Sequence, residues 1–169
     1  MTRTAPLLFA TAVGIAAIGF SAAYSDSLAL LLYNPSASAP RGLYWRDPFA
    51  TYRVGRYAFA HLPAAPAALA VQRGYLPTNV LLLKPIAAVH GDFVCVRHGL
   101  IFINGKPVAR FLPHDVHGRL LQPWPGCRAL DADEVFLLSH TSPASFDGRY
   151  FGPVHYSDLR GVATALWTW

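Results

Sequence analysis

Lysine is scarce in this chain. Of its 14 basic residues only Lys84 and Lys106 are lysine, and the other twelve are arginine. Charge as a whole is scarce too: Asp, Glu, Lys and Arg make up 14% of 169 residues, against roughly a quarter in an ordinary soluble domain. With 53% apolar residues the chain is neither disordered nor a solvated charged helix. The net charge of +5 is spread without any basic run, so no nucleic-acid partner is expected. Cysteine is limited to Cys95 and Cys127, and no C-x-x-C occurs, which excludes a zinc ribbon and thioredoxin-type redox chemistry. There is no G-x-S-x-G elbow, so an α/β-hydrolase is excluded. His114-x-x-His117 lacks the intervening Glu of a metalloprotease helix. Gly99–Lys106 is one residue too long for a phosphate loop, and Pro107 stands where Ser or Thr would hold magnesium. Pro35 in Asn34-Pro35-Ser36 blocks glycosylation. No metal and no cofactor are expected.

The chain is long enough for one domain. Its N-terminus carries no charge from Thr4 to Ser25. Ala5–Ala23 is long enough to cross ~30 Å of hydrocarbon as a helix, with Thr4 as its cap and Pro6 in its first turn. Arg3 precedes it and the next basic residue is Arg41, which keeps the short N-terminus cytoplasmic and exports the rest. A cleaved signal peptide, with Ser21-Ala22-Ala23 as the cleavage site, is the rival reading and has the same consequence. Residues 1–25 are thus read as a membrane anchor or signal segment, and 26–169 as an exported domain. In such a domain an even pair of cysteines reads as one disulfide, Cys95–Cys127, with two buried thiols as the alternative.

Beyond the anchor the texture is β. Short apolar runs at Leu28–Tyr33, Tyr57–Leu62, Val80–Leu83, Phe93–Val96, Leu100–Ile103 and Glu134–Leu138 are separated by turn residues. The 13 Gly and 14 Pro suit short strands better than a helix bundle. Asn104-Gly105 predicts a type I′ hairpin turn. Pro63–Ala70 reads as a loop or a short helix. The terminal Trp167-Thr168-Trp169 reads as the end of a strand packed on the core, with the membrane interface as the other resting place. The expected fold class is mainly β, on a single N-terminal transmembrane helix.

Two serines, Ser36 and Ser38, lie in a Pro-bounded loop just past the anchor. A serine hydroxyl needs a base to act as a nucleophile. Lys84 sits between Val80–Leu83 and Pro85–Val89. An amine in so apolar a setting loses proton affinity, which suits it to be that base. The residues alone leave two readings open. Lys84 is either a neutral base or a strand-end lysine whose ammonium snorkels to water.

Three segments carry a resemblance that favours the first reading. Pro35-Ser36-Ala37-Ser38-Ala39-Pro40 resembles the nucleophile segment of type I signal peptidases, P-S-x-S-M-x-P. Leu83–Val94 resembles their lysine segment, and Ser145-Phe146-Asp147-Gly148-Arg149-Tyr150-Phe151-Gly152 resembles their S-x-D-S-R-x-W-G. Val54–Phe59 is a fainter match to a further strand. The order agrees, and the matches span most of residues 28–155. The chain departs from the general enzymes in having one residue between Ser38 and Pro40, no Met there, Pro85 after the lysine and His90 before Gly91-Asp92. Its N-P-S-A-S-A-P-R-G-L-Y and S-F-D-G-R-Y-F-G-P-V segments are most similar to the TraF-type conjugative-transfer peptidases of that superfamily.

The resemblance implies a signal-peptidase-like β domain and a serine peptidase in which Ser38 is the nucleophile and Lys84 the general base. It implies an oxyanion hole from the Ser38 N–H and the Ser36 hydroxyl, with Ser145 orienting the amine. Asp147 and Arg149 are implied as a charged pair near the site, with a purely structural ion pair as the equal alternative. The implied substrate is an exported precursor peptide, above all a conjugative pilin, cut after a small residue in an extended segment. The implied partners are the membrane and the conjugation machinery, and the implied location is the bacterial inner membrane with the catalytic domain in the periplasm. The other expectations are a general signal peptidase and a non-catalytic β scaffold of a secretion apparatus.

Overall fold

The computed structural model describes residues 30–169. The anchor expected at residues 1–25, and the start of the Leu28–Tyr33 run, lie outside the described residues. Among the described residues no helix is long and apolar enough to cross a membrane.

Short strands between turns build two antiparallel sheets. β1 (Leu31–Asn34), β2 (Gly42–Asp47), β3 (Tyr57–Ala60), β4 (Leu82–Val89), β9 (Glu134–Leu137), β10 (Val154–His155) and β11 (Leu159–Thr168) form the larger, in the order β1-β2-β11-β3-β4-β9-β10. β5 (Phe93–Arg97), β6 (Leu100–Ile103), β7 (Lys106–Arg110) and β8 (Cys127–Ala129) form the smaller, in the order β7-β6-β5-β8. Asn104 and Gly105 both have positive φ, 50° and 77°, as a type I′ turn requires, and Ile103 pairs with Lys106 across it. Cys95 and Cys127 face each other across β5 and β8 and are joined by the disulfide.

The β9 segment shows why the run Val135–Leu138 is continuously apolar. Val135 and Leu137 join one core cluster with Ala58, Ile86 and Val154. Phe136 and its neighbour Leu138 join a second with Ala88, Val94 and Ile101. A strand buried on both faces has no polar alternation to offer. A third cluster, Ala39, Tyr44, Phe59, Leu83 and Ala163, lies around the loop between β1 and β2.

Three differences from the sequence reading have physical reasons. β4 does not stop at Leu83 but runs on through Lys84 and Pro85. Pro85 brings no N–H, and the ladder to β9 shifts register just beyond it, between Ile86 and Ala88, while its carbonyl accepts from Leu138 N–H. Pro63–Ala70 resolves as part of helix α1 (Ala64–Gln72). Pro66 sits in its first turn, where an N–H would have no helical partner, and Gly74 follows its end at φ +70°. The terminal tryptophans continue β11, but they do not pack on the core: Trp167 is 69% and Trp169 67% exposed. β11 pairs on both sides, yet its burial ends after Ala163.

Candidate active site

The loop from Pro35 to Pro40 turns the chain from β1 into β2, and one side chain shapes it. Asn34 is 5% exposed at the end of β1. Its Nδ2 donates to the carbonyls of Ser36 (3.0 Å), Ala39 (3.2 Å) and Pro40 (3.0 Å). Its Oδ1 accepts from the Ser36 N–H (3.1 Å) and the Ser36 hydroxyl (2.8 Å). Tyr44, from β2, donates its hydroxyl to the Pro40 carbonyl at 2.7 Å. A loop too short for a backbone ladder is thus held by an amide side chain that mimics one.

Ser38 is buried in this loop, and Lys84 reaches it from β4. Lys84 Nζ donates to Ser38 Oγ at 2.5 Å and to Ser145 Oγ at 2.6 Å. The two hydroxyl oxygens are 3.3 Å apart. The structure therefore brings together three of the expected site residues from distant parts of the chain. Lys84 is 3% exposed, and burial pushes its ammonium down to about 8. Asp147 opposes that shift and Arg149 adds to it.

Asp147 and Arg149 are also buried beside the amine. Asp147 caps the short helix α2 (Gly148–Phe151), accepting from Arg149 N–H, and its Oδ1 lies 3.2 Å from Arg149 Nε. Burial pushes the Asp147 carboxyl up, against the pull of Arg149 and Lys84. Arg149 donates to the carbonyls of Ser139, Ser142 (3.3 Å) and Pro143 (2.6 Å). The ion pair thus shapes the loop that presents Ser145. Gly148 is required here by space, because a Cβ would lie 2.7 Å from the Leu137 carbonyl oxygen.

Ser139 was not singled out by the sequence. It is fully buried, its hydroxyl donates to the Ser38 carbonyl at 2.7 Å, and its N–H donates to Asp147 Oδ2 at 3.0 Å. It connects the Ser38 backbone to the ion pair. Nothing but its place before Ser145 and Asp147 could have marked it, since a serine bonding a carbonyl has no sequence signature. Ser36, by contrast, is exposed, and its hydroxyl is engaged by Asn34. A groove of about 620 Å³ opens beside Ser38, Lys84 and Ser145, walled mostly by apolar side chains such as Phe59, Leu81, Leu83 and Phe146.

A buried serine bonded to a buried lysine of lowered proton affinity is the arrangement that a serine peptidase needs when an amine replaces imidazole as base. The sequence profile of the family described as "Signal peptidase, peptidase S26" matches residues 3–169, and the chain belongs to that family. It is 31% identical over 145 residues to the plasmid transfer protein TraF of Escherichia coli, covering 80% of this chain and 82% of that one. It is 33% identical over 183 residues to a probable conjugal transfer protein TraF of Sinorhizobium fredii, covering 99% and 92%. Signal peptidase I V of Bacillus subtilis is 27% identical over 96 residues, covering 51% of this chain and 57% of that one. Among solved structures, a signal peptidase I from Enterococcus faecalis aligns with a TM-score of 0.42 and 17% identity, over 68% of this chain and 98% of that one.

Proposed function

We propose that this chain is a membrane-anchored serine endopeptidase that processes an exported precursor in conjugation, a pilin first of all. The observation that carries the reading is the buried triangle of Ser38, Lys84 and Ser145 beside an apolar groove. The names of the TraF relatives support the conjugative setting.

The chemistry follows from the atoms. Neutral Lys84 takes the proton of the Ser38 hydroxyl as Oγ attacks the scissile carbonyl carbon. The developing oxyanion is met by the Ser38 N–H and by the Ser36 hydroxyl, which exchanges its bond to Asn34 for one to the substrate. Lys84 then gives its proton to the departing amine, leaving the acyl group on Ser38. Water, deprotonated by the now neutral Lys84, attacks the acyl carbon, and Lys84 returns that proton to Ser38 Oγ as the new carboxyl end departs. Ser145 holds Nζ in line throughout, and Asp147 with Arg149 holds the loop of Ser145.

The proposed location is the inner membrane, with residues 30–169 on the periplasmic side. Leu31, Tyr33, Trp45, Trp167 and Trp169 are exposed together at the β1-β2-β11 end of the larger sheet, and Tyr33 stacks on Trp169 at 6.1 Å. That aromatic patch includes Leu31 and Tyr33, only a few residues along the chain from the expected anchor, and its composition suits an interfacial belt. The test is incubation of the full chain with candidate pilin precursor, with the products weighed by mass spectrometry. Two fragments from wild type and none from Ser38→Ala support the reading. Equal conversion by Ser38→Ala refutes it. A product one water lighter than the cut peptide adds end-joining to the activity.

A further inference from the structure

Part of the groove wall is a cluster that the peptide-cutting chemistry does not use. His114 and Leu120 form an isolated antiparallel bridge, so residues 114–120 make a miniature hairpin. Val116 at its tip is 80% exposed, yet the side chain of Asp115 is only 5% exposed. Asp115 accepts from the Tyr75 hydroxyl, from Arg119 Nε at 2.6 Å, and from the N–H groups of His117 and Arg119 at 2.9 Å. Arg119 Nη2 donates to the Arg73 carbonyl at 3.1 Å, and its guanidinium lies 5.5 Å over the Tyr75 ring. Arg73 Nη1 donates to the Leu120 carbonyl at 2.9 Å.

The two N–H bonds shape the hairpin itself. So does the Arg119 Nε bond, while the Tyr75–Asp115, Arg119–Arg73 and Arg73–Leu120 bonds, each with a side-chain donor, fasten the hairpin to residues 73–75, some forty positions away. No strand ladder joins these segments. A carboxylate among apolar groove residues is costly without such partners. Burial raises the proton affinity of Asp115, but Tyr75 and Arg119 outweigh it and hold the carboxyl well below the usual range. Tyr75, Leu76, Leu112, Asp115 and Val116 all line the groove that holds Ser38 and Lys84.

We infer that Asp115 is a positioning residue that pins the 114–120 hairpin to the segment after α1 and so fixes the wall against which the precursor lies. The inference rests on the peptidase reading for its consequence, though not for the pin. The bonds of the cluster run among residues 73–75 and 115–120 and do not reach Ser38, Lys84 or Ser145. Loss of the pin therefore weakens precursor binding and leaves the rate of cutting bound precursor nearly unchanged.

The experiment compares full-length wild type, Asp115→Asn and Tyr75→Phe in two assays. The first is brief trypsin digestion, with cuts after Arg119 and Arg97 quantified by mass spectrometry. It needs no peptidase activity. Cutting after Arg119 is expected to speed about tenfold in Asp115→Asn, and less in Tyr75→Phe, with Arg97 unchanged, because proteolysis follows local opening. Unchanged cutting after Arg119 overturns the pin. The second assay is steady-state cleavage of candidate pilin precursor. KM is expected to rise about five- to tenfold in Asp115→Asn while kcat stays within about twofold. A fall in kcat at constant KM overturns the assignment. Cleavage that survives in Ser38→Ala refutes the peptidase reading instead, and the trypsin assay still decides whether the hairpin is pinned.

Discussion

Lys84 is the residue on which stability and function pull apart. Its proton affinity is lowered to about 8 from 10.5 because the amine has been taken out of water. Below pH 8 the folded protein must bury a charge that the unfolded chain keeps solvated. The unfolded state then binds the proton more tightly, so folding stability rises with pH from about 8 to 10.5 and is lowest below 8. The full cost is on the order of 3 kcal/mol. Lys84→Met should remove that pH dependence and with it all cleavage. Comparing urea midpoints of wild type and Lys84→Met at pH 7 and pH 10.5 measures it, with wild type gaining about 3 kcal/mol relative to the variant over that range. On the proposed mechanism cleavage should rise with the same sign, because there only the neutral amine would accept the Ser38 proton. Ser139 makes a second residue-scale prediction. Ser139→Ala loses the bond to the Ser38 carbonyl. It should lower kcat about tenfold at nearly constant KM, read from initial rates on precursor.

At the scale of elements, the site is one strand and two loops. β4 supplies Lys84, the β1–β2 loop supplies Ser38, and the loop into α2 supplies Ser145. Asn34 replaces the missing ladder in the first loop. Asn34→Asp keeps the shape but sets a carboxylate oxygen against the carbonyls of Ser36, Ala39 and Pro40. It should cost about 2–3 kcal/mol of stability, measured by denaturant unfolding, and most of the activity. The smaller sheet is tied by the disulfide across β5 and β8. The bridge spans 32 residues, and its loss should cost roughly 3–4 kcal/mol in the chain-entropy model. Unfolding Cys95→Ser/Cys127→Ser beside wild type tests the size. Titration of unfolded, unreduced wild type should find no thiol.

Across the whole molecule, the candidate site residues were more legible in the sequence than the framework that brings them together. Ser38, Lys84 and Ser145 were expected together because their segments resemble a family; a loop serine is an ordinary turn former, and a lysine in an apolar run left two readings open. The strands β3, β5, β6 and β9 were legible as apolar runs between turns. β2 was hidden because its inward residues include Arg46, and β8 and β10 because they are only three and two residues long. The extent of β4 was hidden by Pro85, whose lost N–H is absorbed by a register shift that only the neighbouring strand reveals. Asn34 and Ser139 were invisible as site residues because they act on backbone carbonyls, as countless turn residues do. The tryptophans of β11 looked like core and proved to be surface, because pairing in a sheet says nothing about which face is covered. The central claim is that a neutral amine at position 84 activates Ser38. It is tested most directly by cleavage of candidate pilin precursor by wild type, Lys84→Arg, Lys84→Ala and Lys106→Arg, each checked for folding by circular dichroism. Arginine keeps the charge and similar reach but does not deprotonate in a protein. Lys84→Arg is expected to be as inactive as Lys84→Ala, while Lys106→Arg cleaves like wild type. A folded Lys84→Arg chain cleaving at near wild-type rate would contradict that claim.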